Sequence, residues 1–470
     1  IKIQGSKQNK MEFAYNISGQ LATVIDTMGR TIDFRYYPFE FNETTETTET
    51  GDQLKATSGR LWKIVDFSNR TVTFSYFDNG DLKSVDFEGR VREYTYTPAN
   101  DDIKLAHNLL TYTDPENQKL LTVTYEGDKV NGQDIGGSDS QVQFTTGQSS
   151  ATVTDGRNNR KQFTLLNEHA EKITDGGYTT GFSYNNDGLV QTVTYPEGNS
   201  LTYGYNYQEG VNRMSVANLK SITEAPGSRG DNGSPKNATT FTYDTYFNQV
   251  TGITYPNGLT VENKNPDANG NFQFIDTNIP GISTNYTFNK YGQIKTETTP
   301  FGMTTTYDYY TGNTTGGYLK SISSPLSTQN FDEYDSRGNL TQYSNSHGIT
   351  AHYRANSFDE IEYENILSLS SLSPLTYTAD YGYYKNGNLN YKNTFFGGGE
   401  QPVSNSYNYT YTKRNMLYTE TESARGITTT YTYDGNDNLE NISNGLDSIT
   451  FTYNDRDLLE SVRPGSNTGS

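Results

Sequence analysis

The segment Thr240-Phe241-Thr242-Tyr243-Asp244, followed by Gly252-Ile253-Thr254-Tyr255-Pro256-Asn257-Gly258, decides the fold because variants of it recur along the whole chain. The step between equivalent tyrosines is 21, 20, 21, 19 and 20 residues for the pairs Tyr15 to Tyr36, Tyr76 to Tyr96, Tyr184 to Tyr205, Tyr334 to Tyr353 and Tyr433 to Tyr453. A fixed period of this length is typical of a repeat architecture, so the sequence is interpreted one unit at a time.

Each unit carries aromatic residues at alternate positions with Thr or Ser between them, as in Phe74-Ser75-Tyr76 and Tyr409-Thr410-Tyr411. This period of two predicts a strand with one aromatic face and one hydroxyl face. Gly and Asn tolerate the positive φ of tight turns, so two sets of clusters predict hairpin turns. The first set is Asp78-Asn79-Gly80-Asp81, Asn186-Asp187-Gly188, Tyr291-Gly292-Gln293, Arg337-Gly338-Asn339 and Asn386-Gly387-Asn388; the second is Pro196-Glu197-Gly198, Pro256-Asn257-Gly258, Pro300-Phe301-Gly302 and His347-Gly348.

One repeat is therefore two antiparallel strands, a structure of marginal stability when isolated in water. We expect neighbouring repeats to pair edge to edge into one long antiparallel sheet, with an ordinary β-sandwich or a propeller as the alternatives. Roughly 22 repeats of two strands give about 40 strands, too many for a twisted open sheet to remain flat. The strip is predicted to coil into part of a hollow shell, with successive turns of the spiral pairing or abutting and with Tyr and Leu on its inner face.

Composition agrees with a thin sheet. Of the 470 residues, 32% are hydrophobic and 13% aromatic, and the mean hydropathy is −0.80. The apolar content is low for a thick core, yet the 39 Tyr and 22 Phe are too many for a disordered chain. We interpret residues 1–470 as one repeat array, incomplete at both ends, with irregular insertions near residues 40–53, 97–140, 206–238 and 365–375.

Charge and cysteine content exclude several classes of function. The net charge of −19 and the lack of a Lys/Arg cluster argue against a nucleic-acid partner, because phosphate binding needs clustered cations. No apolar run reaches the ~20 residues of a membrane span, and the polar start Ile1-Lys2-Ile3-Gln4 does not resemble a signal peptide. The absence of Cys removes disulfides and thiol catalysis.

The pattern of Tyr-Asp, Gly, Leu and then Tyr-Pro-x-Gly resembles the YD repeats of the RHS and teneurin proteins, which include bacterial polymorphic toxins and the cocoon components of Tc toxins. The resemblance rests on Phe241 to Gly258, on Tyr334-Asp335-Ser336-Arg337-Gly338-Asn339-Leu340 and on Tyr431 to Leu439, with weaker copies from Phe13 to Leu458. It implies a spiral β-sheet shell around a C-terminal toxin, or a shell within an adhesion ectodomain.

One departure concerns self-cleavage. The family's toxins end their shell with a segment containing Asp-Pro and Gly-Leu, whereas the only Asp-Pro here, Asp114-Pro115, is followed by Glu116-Asn117. The resemblance therefore gives no self-cleaving centre within these residues.

Other candidate sites are better explained as structure. The histidines His107, His169, His347 and His352 are scattered, and no His-Glu-x-x-His motif occurs. The loops Asp434 to Asn438 and Asp78 to Asp81 lack the Gly and Glu of an EF-hand, and Gly397-Gly398-Gly399 lacks a phosphate-loop lysine. The acidic pairs Asp332-Glu333 and Asp359-Glu360 are adjacent in strands, so their side chains are expected on opposite faces. We predict no catalytic residues, no cofactor and no metal.

The sequence thus predicts a non-catalytic segment of an RHS/YD-repeat shell that encapsulates or displays another part of a larger polypeptide, with a C-terminal toxin as the expected cargo. The expected partners are that cargo domain or neighbouring shell segments, and surface glycans or proteins. The expected location is extracellular or at the cell surface of a bacterium. The main alternative is a cell-surface adhesion, matrix or filament protein; a polysaccharide-active enzyme on a repeat scaffold is a weaker one.

Overall fold

The computed structural model describes residues 2–4, 10–38, 58–98, 106–137, 141–206, 216–227, 237–312, 316–369, 374–398 and 402–466. These residues form 39 β-strands and no helix. The first sixteen are β1 Lys2–Gln4, β2 Lys10–Tyr15, β3 Leu21–Ile25, β4 Thr31–Tyr36, β5 Leu61–Val65, β6 Thr71–Tyr76, β7 Leu82–Phe87, β8 Arg90–Tyr96, β9 Leu109–Thr113, β10 Lys119–Glu126, β11 Lys129–Asp134, β12 Gln141–Thr146, β13 Ser150–Thr154, β14 Arg160–Leu166, β15 His169–Asp175 and β16 Tyr178–Tyr184.

The next nine strands are β17 Val190–Thr194, β18 Ser200–Tyr205, β19 Leu219–Ala225, β20 Asn237–Tyr243, β21 Val250–Thr254, β22 Thr260–Pro266, β23 Phe272–Thr277, β24 Ser283–Phe288 and β25 Ile294–Thr298. The last fourteen are β26 Thr304–Tyr309, β27 Leu319–Ser323, β28 Thr328–Tyr334, β29 Leu340–Asn345, β30 Ile349–Ala355, β31 Ile361–Ser368, β32 Leu375–Tyr383, β33 Leu389–Gly397, β34 Val403–Tyr411, β35 Leu417–Glu422, β36 Ile427–Tyr433, β37 Leu439–Ser443, β38 Asp447–Tyr453 and β39 Leu459–Ser466.

Each strand pairs antiparallel with the next strand in the sequence, and β1 does not pair with β39. The fold of the described residues is therefore one open sheet of successive hairpins. This confirms the predicted all-β array of antiparallel hairpins and excludes the sandwich and the propeller. No helix in the described part of the chain is long and apolar enough to cross a membrane.

A β-bulge recurs at the last aromatic residue of the even-numbered strands. Ser75 pairs with Ser84, but Tyr76 pairs with Leu82, so one residue of β7 is left out of the register. The same shift occurs before Tyr184, Tyr243 and Tyr433. Because a bulge bends its strand and increases the local twist, its repetition at one edge curves the whole strip.

The tyrosine beside this bulge makes a repeated hydrogen bond, which we call the tyrosine ladder. Its hydroxyl donates to the first or second backbone carbonyl of the preceding strand, at 2.7 to 3.0 Å. The donor and acceptor pairs are Tyr36 and Leu21, Tyr76 and Leu61, Tyr125 and Leu109, Tyr184 and Ala170, Tyr205 and Val190, Tyr243 and Leu219, Tyr309 and Ile294, Tyr334 and Leu319, Tyr383 and Ile361, Tyr411 and Leu389, Tyr433 and Leu417, and Tyr453 and Leu439. The tyrosine of the repeat thus fastens adjacent strands at one edge.

The predicted hairpin turns are present, and their glycines have positive φ values. Gly188, Gly338 and Gly387 have φ values of 77°, 100° and 93°, and Gly198, Gly258 and Gly302 have φ values of 82°, 82° and 77°. These left-handed conformations strain residues that carry a Cβ. The assignment of both sets of clusters to hairpin turns is therefore confirmed.

The sheet has almost no buried core. Among the described residues, the buried apolar side chains are those of Val123, Ala351 and Ala379. One face carries alternating aromatic and aliphatic residues, and the other carries hydroxyl pairs such as Ser75 with Ser84, whose oxygens are 2.6 Å apart. The expected thin sheet is confirmed, while the assignment of the aromatic face to the interior stays a prediction.

The four stretches expected to be insertions differ from one another. The stretch 40–53 lies wholly outside the described residues. Within 97–140 the strands β9, β10 and β11 continue the order of the sheet, and within 206–238 so does β19. Near 365–375, β31 and β32 pair directly. The strand order is preserved across all four stretches, since β4 pairs with β5, β8 with β9, β18 with β19 and β31 with β32.

Candidate functional site: the seam between two turns of the strip

The coiling of the strip brings its two long edges into contact with each other. Turns that follow odd-numbered strands (odd turns) lie on one long edge, and turns that follow even-numbered strands (even turns) lie on the other. The odd turns between β3 and β16 contact the even turns between β26 and β39, across 269 to 301 residues of sequence. Along the chain, each later odd turn contacts a correspondingly later even turn. The strip therefore coils as a spiral, and one turn of the spiral contains 23 to 25 strands. We call this contact line the seam.

Arg90 forms the best-defined contact of the seam. Its Nη1 and Nη2 donate to Oε1 and Oε2 of Glu360 at 2.7 and 2.6 Å, and both side chains are less than one-fifth exposed. The guanidinium carbon lies 3.4 Å from the ring centroid of Phe358, which packs edge-on against Phe87 at 5.3 Å. A bidentate pair that is largely buried and packs against an aromatic ring is shielded from water, which strengthens it relative to an exposed pair.

Arg70 makes a parallel contact one hairpin earlier. Its Nε donates to Asp66 Oδ2 at 2.7 Å within its own turn, and its Nη1 donates to Asp359 Oδ2 at 2.5 Å across the seam. Burial alone would lower the pKa of Arg70, but the hydrogen bonds to Asp359 and Asp66 outweigh it and raise the pKa. The guanidinium is therefore a permanent positive charge held between two carboxylates.

The start of the seam uses a tyrosine in place of a carboxylate. Arg30 donates to Tyr318 Oη at 2.8 Å and to Asp26 Oδ2 at 2.6 Å, and it also lies over the rings of Tyr318 and Phe67. The middle of the seam is held by amides. Asp114, which is 2% exposed, accepts from the amide groups of Asn386 and Asn415, and Glu116 accepts from the backbone N–H of Lys385.

The far end of the seam is a charged network around Arg157. Arg157 lies 3.0 Å from Asp457 Oδ1 and 3.5 Å from Asp434 Oδ2, and it donates to the Tyr453 carbonyl at 2.9 Å. Asn436 Nδ2 donates to Asp155 Oδ2 at 2.6 Å. Burial would raise the pKa of Asp457, but hydrogen bonds from Asn436, Asn438 and Arg157 lower it. A cavity of about 340 Å³ opens beside this network, between the two turns of the strip.

Several residues singled out in the sequence lie in the seam. Asp359 and Glu360, one of the two acidic pairs, lie in the turn between β30 and β31 and not in a strand. Both carboxylates face the seam, where they accept from Arg70 and Arg90, so the expectation of opposite faces is wrong for this pair. The stretch Asp434 to Asn438 is an even turn that receives Arg157, as its interpretation as a turn requires. The motif Asp114-Pro115 forms an odd turn of the seam.

The histidines are not brought together. His107 Nδ1 lies 2.7 Å from Asp81 Oδ1 at an exposed turn, and His169 stacks on Tyr184 with ring centroids 4.8 Å apart. His347 lies in the turn after β29, and His352 lies within β30. In the described part of the chain no three His, Asp or Glu side chains converge as metal ligands. The predictions of no catalytic residue, no metal and no cofactor stay predictions.

The sequence predicts that successive turns of the spiral pair or abut, but it does not identify the residues that meet across the seam, although a signal for some of them exists. Three odd turns of the first spiral turn contain both Asp and Arg: Asp26 to Arg30, Asp66 to Arg70 and Asp155 to Arg157. The odd turns further along the same edge contain Pro, as in Pro196, Pro256, Pro300 and Pro325. The arginine of each Asp/Arg turn reaches across the seam, which is the signal that the sequence carries. The turn that contains Pro115 also lies in the seam.

Comparison with known proteins supports the fold alone. No family model matches the chain, and no curated protein matches it. Among solved structures, the TcdB2-TccC3-Cdc42 crystal structure is 14% identical with a TM-score of 0.53, covering 99% of this chain and 28% of that one. The TcdB2-TccC3 structure without the hypervariable C-terminal region is 13% identical with a TM-score of 0.50, covering 98% and 27%. The chain thus spans about a quarter of the length of these structures, and it shares the fold of the RHS-repeat shells of Tc toxins.

Proposed function

We propose that the chain is a wall segment of an RHS/YD-repeat shell that encloses or displays another part of a larger secreted or surface polypeptide, with a C-terminal toxin as the cargo. The seam is the observation that carries this proposal. A strip whose edge is sealed against its own next turn by Arg90, Arg70 and Arg157 forms a continuous wall. A continuous wall would keep a cargo on one side of the sheet, as enclosure requires.

The proposed mechanism is containment without catalysis. Backbone hydrogen bonds join each strand to the next along the sheet. The ion pairs of the seam close the gap between one turn of the spiral and the next. The net charge of −19 limits nonspecific association of the outside of the wall. The proposed partners are the polypeptide's own cargo domain and neighbouring shell segments, and the proposed location is extracellular or on the cell surface.

The direct test is limited proteolysis of the natural full-length polypeptide, followed by mass spectrometry. Containment predicts that the cargo segment resists protease in the intact protein and becomes sensitive when Arg70, Arg90 and Arg157 are replaced together by Gln. Equal sensitivity of the cargo segment in both proteins would contradict the proposal. Small-angle scattering of the 470 residues alone gives a second reading, because a compact protein of this length has a radius of gyration of about 23 Å and a shell wall exceeds it.

An adhesion function is the second candidate, favoured by a different observation. The Pro-containing odd turns and the turn before β38 expose large apolar side chains, including Phe301 at 85%, Leu326 at 80% and Leu446 at 67%. Exposed apolar residues along one edge are a feature of protein-binding surfaces. If adhesion is the main function, replacing these three residues by Ser should abolish binding to cells or matrix while cargo protection is unchanged.

A further inference from the structure

The hydroxyl face carries a groove over β10, β11 and β12, which we call the polar groove. It consists of two adjoining cavities of about 530 and 470 Å³, both of which are lined by Thr122 and Asp134. In the register Gly132 lies between Thr124 and Gln143, and because glycine has no side chain the floor of the groove is open there. Cavities of roughly 300–1,000 Å³ are typical of ligand sites, so the groove is large enough to hold a ligand.

The larger cavity is lined mainly by hydroxyl and amide side chains. Four of them make no side-chain hydrogen bond within the residues that the structure describes: Thr122, Gln141, Gln143 and Thr145. An amide offers two N–H donors and a carbonyl acceptor, and a hydroxyl both donates and accepts. Val142 and Phe144 border the cavity through their backbone, because the alternation of the strand puts their side chains on the aromatic face. Among the described residues of this lining, none presents an apolar side chain to the groove.

The smaller cavity brings together two lysines from successive turns of the spiral. Lys119 belongs to β10, and Lys413 lies in the even turn between β34 and β35. Neither forms an ion pair within the described part of the chain, and Asp134 is the one other charged residue that lines the cavity there. Gln118, which lines the same cavity, has a buried Oε1 without a hydrogen-bond partner among the described residues. The described lining thus has a net charge of +1 in a chain of −19, which favours an anionic group at this end.

The chemistry of the groove selects among classes of ligand. A peptide is disfavoured, because the described lining offers no pocket for the apolar side chains that anchor peptides. The unpaired hydroxyls and amides match a ligand that donates and accepts hydrogen bonds at many points, as a chain of sugar hydroxyls does. The two lysines match a carboxylate at one end of that ligand. About 23 Å of β10 separate Lys119 from Glu126, which lines the other end of the groove, so the ligand is extended.

We propose that the polar groove binds an acidic oligosaccharide, that is, a chain of sugar units of which at least one carries a carboxylate. Lys119 and Lys413 receive the carboxylate, and Thr122, Gln141 and Gln143 bind the hydroxyls of the neighbouring units. Because Lys413 belongs to the next turn of the spiral, the site is complete only when the seam is closed. The inference goes beyond containment and does not depend on it, since binding is measured on the 470 residues without a cargo.

The experiment is isothermal titration calorimetry of the 470-residue chain with trigalacturonate at moderate ionic strength, where we expect one site per chain. The fully methyl-esterified trisaccharide keeps the hydroxyls without the carboxylates and should bind about tenfold more weakly. Lys119→Met/Lys413→Met should lose about tenfold in affinity for the acid and keep its affinity for the ester, because Met retains the aliphatic stem. The matched control is Lys220→Met/Lys295→Met, which removes two exposed lysines at the bulges of β19 and β25. Its affinity for trigalacturonate should stay within about twofold of that of the unsubstituted chain.

A second pair of variants tests the contacts with the sugar hydroxyls. Gln143→Leu keeps the approximate volume of the side chain but removes its amide, so it should weaken the binding of the acid and of the ester alike, by about fivefold. Gln162→Leu, on the hydroxyl face of β14 opposite Thr152, is its control and should change neither affinity. Equal losses in the two lysine double variants, or no measurable binding of trigalacturonate to the unsubstituted chain, would overturn the proposal. Equally tight binding of tricarballylate would show a simple anion site, and equally tight binding of a triglutamate peptide would show a polypeptide site; either result would contradict an oligosaccharide.

Discussion

Arg90 and Glu360 are 270 residues apart in the chain, yet the Arg90 guanidinium donates to both carboxylate oxygens of Glu360 at 2.6 and 2.7 Å. No local interaction brings them together. Their contact depends on the curvature that accumulates over the strands between β8 and β31. A small change in curvature per strand would separate them, so the seam fixes the number of strands in one turn of the spiral.

The coupling between Arg90 and Glu360 can be measured by a double-mutant cycle with Arg90→Gln and Glu360→Gln. We expect a coupling free energy of about 1–3 kcal/mol, because the pair is bidentate and largely shielded from water. The exposed pair Arg354 and Glu362, at 3.5 Å with side chains 65% and 41% exposed, is the control and should couple by less than about 0.5 kcal/mol. Equal coupling in the two pairs would argue against a sealed seam.

The tyrosine ladder gives a second prediction. Tyr76→Phe removes the hydroxyl that donates to the Leu61 carbonyl at 2.8 Å, and it should lower the free energy of unfolding by about 1 kcal/mol. Tyr15 has the same position in β2 but makes no hydrogen bond through its hydroxyl within the described residues, so Tyr15→Phe should change stability by less than about 0.5 kcal/mol. Denaturant unfolding of both variants is the measurement, and indistinguishable losses would show that the ladder does not contribute.

The turn glycines give a third prediction, because two of them differ mainly in their surroundings. Gly258 has a φ of 82° and open space where a Cβ would lie, so Gly258→Ala should cost about 1 kcal/mol from backbone strain alone. Gly338 has a φ of 100°, and a Cβ there would lie 2.5 Å from Tyr318 Oη, the group that receives Arg30. Gly338→Ala should therefore cost at least about 1 kcal/mol more. Equal unfolding midpoints for the two variants would contradict this account.

Acid stability should depend on Asp335, in the turn between β28 and β29. Burial would raise the pKa of Asp335, but hydrogen bonds from Arg337 and Asn339 outweigh burial and lower the pKa from 3.8 to about 2. A carboxylate with a lowered pKa stabilises the folded state above its unfolded pKa, and that stabilisation is lost as the pH falls from about 4 to about 2. Asp335→Asn should therefore be less stable than the unsubstituted chain at pH 7, and the difference should vanish near pH 2.

The control for this prediction is Asp308→Asn, which removes an exposed carboxylate on the hydroxyl face of β26. Denaturant midpoints measured at several pH values between 7 and 2 should show little pH-dependent difference for this variant. A difference for Asp335→Asn that persists unchanged at pH 2 would show that the aspartate acts through packing and not through its charge.

Much of the fold follows from local sequence. Alternation in Phe74-Ser75-Tyr76 sets the two faces of a strand, and Gly338 and Gly387 set the turns, so strand order and pairing follow from neighbours in the sequence. The bulge at each ladder tyrosine could not be predicted in the same way. Its position depends on how the tyrosine side chain reaches back over the preceding strand to a carbonyl.

The contact between successive turns of the spiral could be predicted from the number of strands, but the residues that meet in the seam could not, because accumulated curvature determines which turns face each other. In the sequence Glu360 is one of many acidic residues, since nothing near it identifies Arg90 as its partner. The contacts of Glu297 are an intermediate case. Glu297 stands where most repeats have Val or Ile, which is visible in the sequence, but its contact with Tyr307 is recognised only once the register of β26 is known.

The spiral return of the strip is the central claim, and one distance tests it most directly. The chain contains no cysteine, so Ser68→Cys and Ser357→Cys place two unique spin labels in the turn between β5 and β6 and in the turn between β30 and β31. Double electron–electron resonance should give a distance below about 30 Å, because these turns face each other across the seam at Arg70. In a strip that does not return, the labels would be separated by about 25 strands, or about 120 Å. The absence of a short distance would contradict the spiral.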